Sequence, residues 1–301
     1  MLGTRVGTVQ TVRNFLTDLN ANQMRLATSQ HQYSTGKKVD SPADDPVGVG
    51  IALGIRNDID AVNAWRGNIA DSLEWMNTTE TALGDQTSVI HRARELAVQG
   101  ANGLLSPTAR GAVADQIDQL LEESAQVGNA QLGGRYLFGG TAVNTAPFTT
   151  TPPGPTGPAN TGLLTREIGQ AQTFSVNITA DRFADPPGAT PDIFTTLRDL
   201  STALRSGDLA AVSGPALNRL DDHLKNLSAL RSENAAKINR MESTLSRYAV
   251  DDIARRTTLS HIEDADMAEV AMNLMTRESV LKSSLAVGAR IMQPSLADFL
   301  R

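Results

Sequence analysis

The residues best suited to acid–base chemistry in this sequence form two acidic groups, Asp44-Asp45 and Glu263-Asp264-Ala265-Asp266. Two carboxylates that act on one substrate need a shared pocket and different pKa values, and the surrounding sequence predicts neither. Asp45-Pro46 is typical of an N-cap followed by a proline in the first helical turn, although Ser41-Pro42 offers a competing helix start. We therefore interpret both groups as helix caps or subunit-pairing groups, and not as catalytic residues or metal ligands.

Cysteine and histidine give no catalytic or metal-binding pattern either. The sequence has no cysteine, which excludes disulfides, thiolate ligands and a cysteine nucleophile. Motifs for phosphate, dinucleotide or serine-nucleophile chemistry are absent. The four histidines are far apart without an i, i+4 pair, so we expect each of them on a solvated helix face: His31, His91, His223 and His261. The sequence predicts no catalytic residue, no bound metal and no cofactor.

The overall composition argues against further classes of protein. With a formal net charge of -6, the 301-residue chain lacks the basic surface that nucleic-acid binding requires. No apolar run approaches the roughly 18 residues of a membrane-spanning helix, and the N-terminus has no apolar secretory segment. Because aromatic residues are only 4% of the chain, its cores must be built mainly from aliphatic side chains. That supply favours long, thin helical packing.

Three series of apolar residues, spaced alternately three and four positions apart, predict the helices that position the acidic groups. They run from Val9 to Tyr33, from Ile55 to Ala97 and from Leu217 to Ile262. This period indicates helices that pack as coiled coils. At 1.5 Å per residue, each of the two longer series would extend about 60–70 Å, so we expect an elongated rod. Polar residues inside these series can fix the pairing register, with their partners left open: Arg66, Glu80, Thr87, Arg94, Arg231 and Asn234.

Shorter helices are predicted between the long ones. Ser106-Pro107 supplies an N-cap and a first-turn proline for one of them. Apolar residues from Ile193 to Leu204 form a second, and Gly207 follows at the position where a left-handed C-cap is expected.

A small β-rich insertion interrupts this helical chain. The helical pattern stops at about Gly139, and residues 147–162 are rich in turn residues. Alternation from Phe174 to Thr179 predicts a strand with one buried face. Helices on both sides of an insertion must pair, so we expect the N- and C-terminal helices to lie together. The predicted fold class is therefore mainly α, with a small β-rich inserted domain.

Two segments resemble signatures of the flagellin superfamily. Ser34–Pro46 resembles the Ser/Thr-Gly loop and paired aspartates after the first helix of these proteins, and Ile262–Glu269 resembles their acidic C-terminal signature. The resemblance covers roughly residues 1–140 and 205–301. Three segments are similar to the branch of the family that joins hook to filament: Asp45-Pro46, Gly134–Gly140 and Ala289–Leu300.

This resemblance implies a division into three domains. Residues 1–44 and 263–301 would form a terminal helical assembly domain. Residues 45–140 and 191–262 would form a helical rod domain, and residues 141–190 a β-rich outer domain.

The resemblance also implies a structural function at the hook–filament junction of the bacterial flagellum. Such a protein forms a ring with copies of itself between the first hook-associated protein and the flagellin filament. Export would proceed through the type III export apparatus without a cleaved secretory signal, with an export chaperone on the C-terminal helices. The expected final location is extracellular, and neither nucleic acid nor membrane insertion is expected.

The terminal segments, residues 5–34 and 267–300, each have a narrow apolar stripe that can bury little surface within one chain. We hypothesise that both become ordered on assembly with neighbours. The predicted assembly contacts along these stripes are Val9, Leu16, Leu19, Leu26, Leu274, Leu281, Ile291, Leu296 and Phe299. Two rival interpretations stay open, namely a short flagellin that polymerises with itself and a helical enzyme or cytoplasmic coiled-coil module.

Overall fold

The chain is mainly helical, as its apolar periodicity predicts. A computed structural model describes residues 3–186 and 191–292, without the side chains of residues 3–9 and 291–292. The longest helices are those predicted by the two longer apolar series. In these ranges the α-helices are α1 (Gly3–Thr35), α2 (Pro46–Gly100), α3 (Pro107–Gly128), α4 (Ala180–Ala184), α5 (Ile193–Ser206), α6 (Leu209–Ala211), α7 (Leu217–Glu263) and α8 (Met267–Met292). A π-helical turn, Val212–Ala216, leads into α7.

The chain forms two compact units. The terminal unit comprises residues 1–60 and 251–301, and the central unit comprises residues 61–250. Helices α2 and α7 contribute residues to both units. The finer division into three domains stays a prediction.

Apolar residues of the predicted series on α2 and α7 form much of the interior of the central unit. Ile69, Met76, Leu83 and Ile90 of α2 are completely buried. Burial of a side chain of this size stabilises the fold by about 1.5–3 kcal/mol. The buried residues of α7 in these apolar clusters are Leu220, Leu227 and Met241 of the predicted series, together with Leu230, which lies outside it.

A cluster of phenylalanines forms the other part of this core. The rings of Phe138 and Phe183 lie 4.3 Å apart between centroids, and those of Phe148 and Phe194 lie 5.0 Å apart. These four are a majority of the seven phenylalanines in the chain. The phenylalanines are therefore concentrated where the inserted segment meets α4 and α5.

The strands of the described residues form three two-stranded antiparallel hairpins. In register, Leu132 lies opposite Arg135, Thr149 opposite Gly154, and Arg166 opposite Phe174. The pairs are β1 (Gln131–Leu132) with β2 (Arg135–Tyr136), β3 (Phe148–Thr150) with β4 (Pro153–Pro155), and β5 (Thr165–Gly169) with β6 (Gln172–Ser175).

The sequence placed the end of the helical pattern too late, because α3 ends at Gly128 rather than near Gly139. Just beyond α3, the Asn129 side chain donates to the Phe148 carbonyl oxygen at 2.8 Å and accepts from the Phe148 N–H at 3.1 Å. The amide thus replaces a backbone partner of β3 and holds the end of α3 beside that strand, while the chain itself continues into the first hairpin. Gly133 and Gly134, with φ of 57° and 77°, make its turn.

The strand predicted from Phe174 to Thr179 is correct only at its start. The strand β6 ends at Ser175, and the four residues that follow are all buried. The physical reason is Asn177, whose side chain accepts from the Leu164 N–H at 2.8 Å and donates to the Gly162 carbonyl oxygen at 3.0 Å. With the Asn177 amide satisfied in this way, the segment is buried without alternating between two faces.

The predicted helix caps are confirmed, and the open choice at α2 is decided. Ser106 Oγ accepts from the Ala109 N–H at 3.2 Å, and Gly207 ends α5 with φ 76°. Helix α2 begins at Pro46, where Asp45 Oδ1 accepts from the Val47 N–H at 3.0 Å. The competing start at Ser41 is therefore wrong.

Polar residues within the long helices pair across the central unit. Arg231 Nε donates to Glu80 Oε1 at 2.7 Å, and Asn234 Nδ2 donates to a backbone carbonyl of α2 at 2.9 Å. Arg94 pairs with Asp221 at 2.7 Å. These contacts fix the register of α2 against α7 at defined positions.

Candidate functional site in the terminal unit

The paired helices α1 and α8 carry most of the predicted assembly residues. They run antiparallel, because positions late in α1 contact positions early in α8 and the reverse. The contacts that set this register are Lys37 with Asp264, Ser29 with Arg277, and Phe15 with Gly288.

Arg277 is the polar centre of this pair. Its Nη1 donates to Ser29 Oγ at 2.6 Å and to the Arg25 carbonyl oxygen at 2.6 Å. Ser29 is only 1% exposed, so these charge-assisted hydrogen bonds lie inside the seam. A guanidinium at this position gives the pair a defined register and takes the place of an apolar contact.

The two acidic signature segments meet beside the ends of α1 and α8. The Glu263 carbonyl oxygen accepts from the Lys38 N–H at 2.7 Å and the Val39 N–H at 3.3 Å, and the Ala265 N–H donates to the Gly36 carbonyl oxygen at 2.9 Å. We call this arrangement the signature clasp. It joins segments from opposite ends of the sequence by backbone hydrogen bonds.

Glu263 is the charged centre of the signature clasp. Its side chain is nearly buried, and Oε2 lies 2.7 Å from Arg56 Nη2 and 3.3 Å from Lys37 Nζ. Both cations stay partly exposed and keep part of their hydration, whereas the carboxylate depends on them for compensation. The arrangement therefore supplies structure, with no open position for a substrate.

Of the other acids in these segments, Asp266 caps a helix, as interpreted from the sequence, whereas Asp44 stabilises the turn before α2. Asp44 accepts from the backbone N–H and the Oγ of Ser41, both at 3.0 Å, and these hydrogen bonds lower the pKa of Asp44. Asp266 Oδ1 accepts from the Ala268 N–H at 2.9 Å at the start of α8. A carboxyl group with a lowered pKa is a poor proton donor at neutral pH.

The structure separates the predicted assembly residues by their surroundings. Leu19, Leu26, Leu274 and Leu281 are half-buried, on the side of each helix that faces its partner, whereas Leu16 is 46% exposed. Val9 and Ile291 lie in α1 and α8, but their side chains are outside the described ones, and Leu296 and Phe299 lie outside the described residues. Whether any of them contacts a neighbour stays a prediction.

Apolar spacing does not identify the most exposed apolar residues of this pair. Periodic counting selects the stripe between two helices and passes over apolar residues on other faces. A count of apolar residues on the helix faces that point away from the partner helix could have identified them. The exposed large apolar residues of this pair that the predicted stripes did not include are Met24, Met272, Met275, Val280, Leu285 and Val287.

The prediction that all four histidines lie on solvated faces is wrong for His223. It is 1% exposed in the central unit, where its Nε2 lies 3.1 Å from Thr196 Oγ1. Burial lowers its pKa from the ordinary 6.5 to about 4, so the ring is neutral at physiological pH. The residue fills the α5–α7 interface as a polar core side chain, which its charged sequence neighbours concealed.

Within the described residues, no group of three His, Cys, Asp or Glu side chains is arranged to hold a metal ion.

None of the described helices combines the length and the apolar character needed to cross a membrane.

The chain is similar in sequence to known flagellar proteins. Residues 6–143 match the family described as the bacterial flagellin N-terminal helical region. Flagellin of Bacillus subtilis is 27% identical over 286 residues, with 90% of each chain covered. Flagellar hook-associated protein 3 of Escherichia coli is 25% identical over 276 residues, covering 84% of this chain and 86% of that protein. A shorter match to flagellin of Clostridium tyrobutyricum is 31% identical over 116 residues and spans 31% of that protein.

A solved structure is similar over much of the chain. The structure of a flagellar hook-associated protein from Vibrio parahaemolyticus has a TM-score of 0.67 and 21% identity. It covers 73% of this chain and 100% of that one, which shows a common fold.

Proposed function

We propose, from the premise that this chain belongs to the flagellin superfamily, that it joins the flagellar hook to the filament. Proteins of this family are structural components of the bacterial flagellum, and the chain is a flagellar structural protein and not an enzyme. Its mechanism is the packing of terminal helices against neighbouring subunits, without any bond made or broken.

The observation that carries this proposal is the apolar surface of the α1–α8 pair. Met272, Met275 and Val287 are 64%, 72% and 53% exposed. Removing such surface from water is favourable by about 25 cal/mol per Å², and contiguous apolar patches are typical of interaction sites. Polymer contacts that cover these side chains would turn a marginal helix pair into a stable one.

A place at the junction, and not along the filament, is supported by two sequence segments and by two similar proteins. The Gly134–Gly140 and Ala289–Leu300 segments resemble the junction branch of the family. In the former, Leu137 and Phe138 are completely buried, so this segment belongs to the core of the central unit. The relative from Escherichia coli and the similar structure from Vibrio parahaemolyticus are both hook-associated proteins.

The partners follow from this position. The chain would form a ring with copies of itself, bounded by the first hook-associated protein on one side and flagellin on the other. Before assembly it would pass unfolded through the type III export apparatus, with an export chaperone on its C-terminal helices. Its final location would be extracellular, at the hook–filament junction.

Deletion of the gene in its host tests the proposal. The expected result is hooks without filaments, together with monomeric flagellin released into the medium, because filament growth has lost its base. Restoration of filaments by the unaltered gene is the control. Intact filaments in the deletion strain would contradict the proposal.

A filament subunit is the second candidate function, and the match to flagellin of Bacillus subtilis over 90% of both chains favours it. On that interpretation the purified chain would polymerise with itself into long tubes, visible by electron microscopy. The deletion strain would then have bare hooks and release no flagellin.

A further inference from the structure

The two sides of the α1–α8 pair differ in shape. One side carries an open groove of about 580 Å³, which we call the terminal groove. Small residues of α8 form much of its wall, and small side chains allow another helix to approach closely. The groove residues used below are Phe15, Leu19, Val280, Ser283 and Val287, with Asp18 and Arg25 also in its lining.

The other side of the pair carries projecting side chains. Met275 and Leu285 of α8 are 72% and 50% exposed, and Leu16 of α1 is 46% exposed. None of these three lines the terminal groove. Positions 275, 278, 282 and 285 lie three or four residues apart and so share one face of α8. We call Leu16 and this face the terminal ridge.

The ridge and the groove lie at the same level along the pair. The antiparallel register places Phe15 beside Gly288, and Arg25 beside Arg277. Leu16 and Leu285 are therefore close to the level at which Phe15 enters the groove. A neighbouring copy that lies side by side in the same direction would present its ridge to this groove without a large axial shift.

The charges of the two surfaces are complementary. By the same register, Lys282 on the ridge lies near the level of Asp18 on the groove, and Glu278 lies near the level of Arg25. Within the described part of the chain none of these four side chains forms an ion pair. Docking would thus bring Lys282 of one copy near Asp18 of the other, and Glu278 near Arg25, around an apolar centre.

We propose, on the basis of the assembly function above, that the terminal ridge of one copy docks in the terminal groove of a second copy. Leu285 and Leu16 would enter between Phe15, Val280 and Val287 of the neighbour. Because the two surfaces of this contact are different, it is heterologous and can repeat around a closed ring. The terminal ridge and the terminal groove are therefore the two surfaces by which copies of this chain would pack laterally.

The chain has no cysteine, so introduced thiols test this contact directly. The variant carries Ser283→Cys in the groove and Leu285→Cys on the ridge, and it replaces the deleted gene in the host. Flagella are isolated and treated with a short bismaleimide. The expected product is a ladder of dimers, trimers and larger multimers of this chain. The matched controls are the two single variants, which lack one of the two reacting positions and should give no ladder.

Assembled flagella that give no ladder, or cross-links only to a different flagellar protein, would overturn the contact. They would leave the junction function intact, because that function is tested by the deletion strain alone. Where the double variant does not assemble, charge reversal decides. Lys282→Glu should reduce the number of filaments per cell, and Asp18→Lys in the same chain should restore it. Failure of this restoration would also overturn the proposal.

Discussion

The two compact units use the same kind of helical pattern with different results. In the central unit, four phenylalanines and the apolar stripes of α2 and α7 are buried within one chain. In the described part of the terminal unit, the buried apolar residues are only Ala52, Ile59 and Val270. The difference shows that apolar periodicity predicts a helix and its stripe, but does not tell whether the chain itself covers that stripe.

The cause lies in the number of layers around each helix pair. In the central unit, α3, α5 and the inserted hairpins pack over the long helices and complete a core. In the terminal unit, α1 and α8 have each other and a seam that contains Ser29 and Arg277. Because a pair of helices with a partly polar seam is marginal by itself, we expect its stability to depend on neighbours.

The largest contrast is expected from matched truncations of apolar residues in the two units. Phe194→Ala should lower the free energy of unfolding of the central unit by about 3–5 kcal/mol, because it leaves a cavity in a closed core. Leu16→Ala removes a half-exposed side chain and should change the free energy of unfolding by no more than about 0.5 kcal/mol. Urea unfolding of both variants measures the difference. Equal effects would remove the basis of the comparison.

The next largest effect is the pH dependence that His223 gives the central unit. The unfolded chain takes up a proton at His223 near pH 6.5, whereas the folded chain does so only near pH 4. The stability associated with the neutral ring is therefore full above pH 6.5 and falls by about 3 kcal/mol as the pH is lowered through 4. Urea unfolding of the central unit between pH 7 and pH 4 measures this loss.

His223→Gln is the variant that isolates this residue, because it keeps a polar side chain but cannot be protonated in that range. Its unfolding free energy should change much less between pH 7 and pH 4. His31→Gln is the matched control in the terminal unit, where the ring is exposed beside Asp40. If the His31 variant removed the pH dependence and the His223 variant kept it, the assignment to the central unit would be wrong.

His223 also shows where sequence reasoning reaches its limit. Long helices, caps and the buried heptad positions depend on local spacing, so they were predicted correctly. The burial of His223 depends on α5, which precedes it in sequence and packs over it in space. The end of the helical pattern and the extent of the strand after Phe174 were predicted wrongly for the same reason. The side chains of Asn129 and Asn177 form hydrogen bonds with backbone groups that only the folded chain brings near them.

Only part of the candidate site in the terminal unit could be predicted from the sequence. The acidic segments were recognised as a pair, and capping by Asp45 followed from the proline after it, whereas for Asp266 the sequence left capping and subunit pairing open. The backbone hydrogen bonds between Gly36–Val39 and Glu263–Ala265 join residues far apart in sequence and could not be inferred from spacing. The exposed face with Met272 and Met275 was missed, because a search for the stripe between helices discards residues that point away from it.

A smaller effect is expected from the charged centre of the signature clasp. Glu263→Gln keeps the shape of the side chain but removes the charge that compensates Lys37 and Arg56. The local opening free energy of the terminal unit should fall by about 1–2 kcal/mol, less than for a fully buried pair, because both cations are partly exposed. Faster amide exchange at Lys38 and Ala265, with no change in the central unit, would be the measured result.

Glu95→Gln is the control for this variant. Its partner Arg92 is on the same exposed helix face, and both side chains are more than half exposed, so the change should stay within about 0.5 kcal/mol. If both variants left amide exchange unchanged, the charge of Glu263 would contribute nothing to the terminal unit, and the backbone hydrogen bonds of the clasp would hold its segments without it.

The smallest effect gives the most direct comparison of the two units, because the same kind of interaction, a helix N-cap, is removed from each. Ser106→Ala and Asp266→Ala each remove one N-cap, and each should cost about 1 kcal/mol. The cost of the first should appear in the cooperative urea unfolding of the central unit, since α3 belongs to its closed core. The cost of the second should appear as faster amide exchange at Val270, with the urea midpoint of the central unit unchanged. A shift of that midpoint by Asp266→Ala as large as that by Ser106→Ala would mean that the two units unfold as one, and that the terminal helices are stabilised by the chain itself.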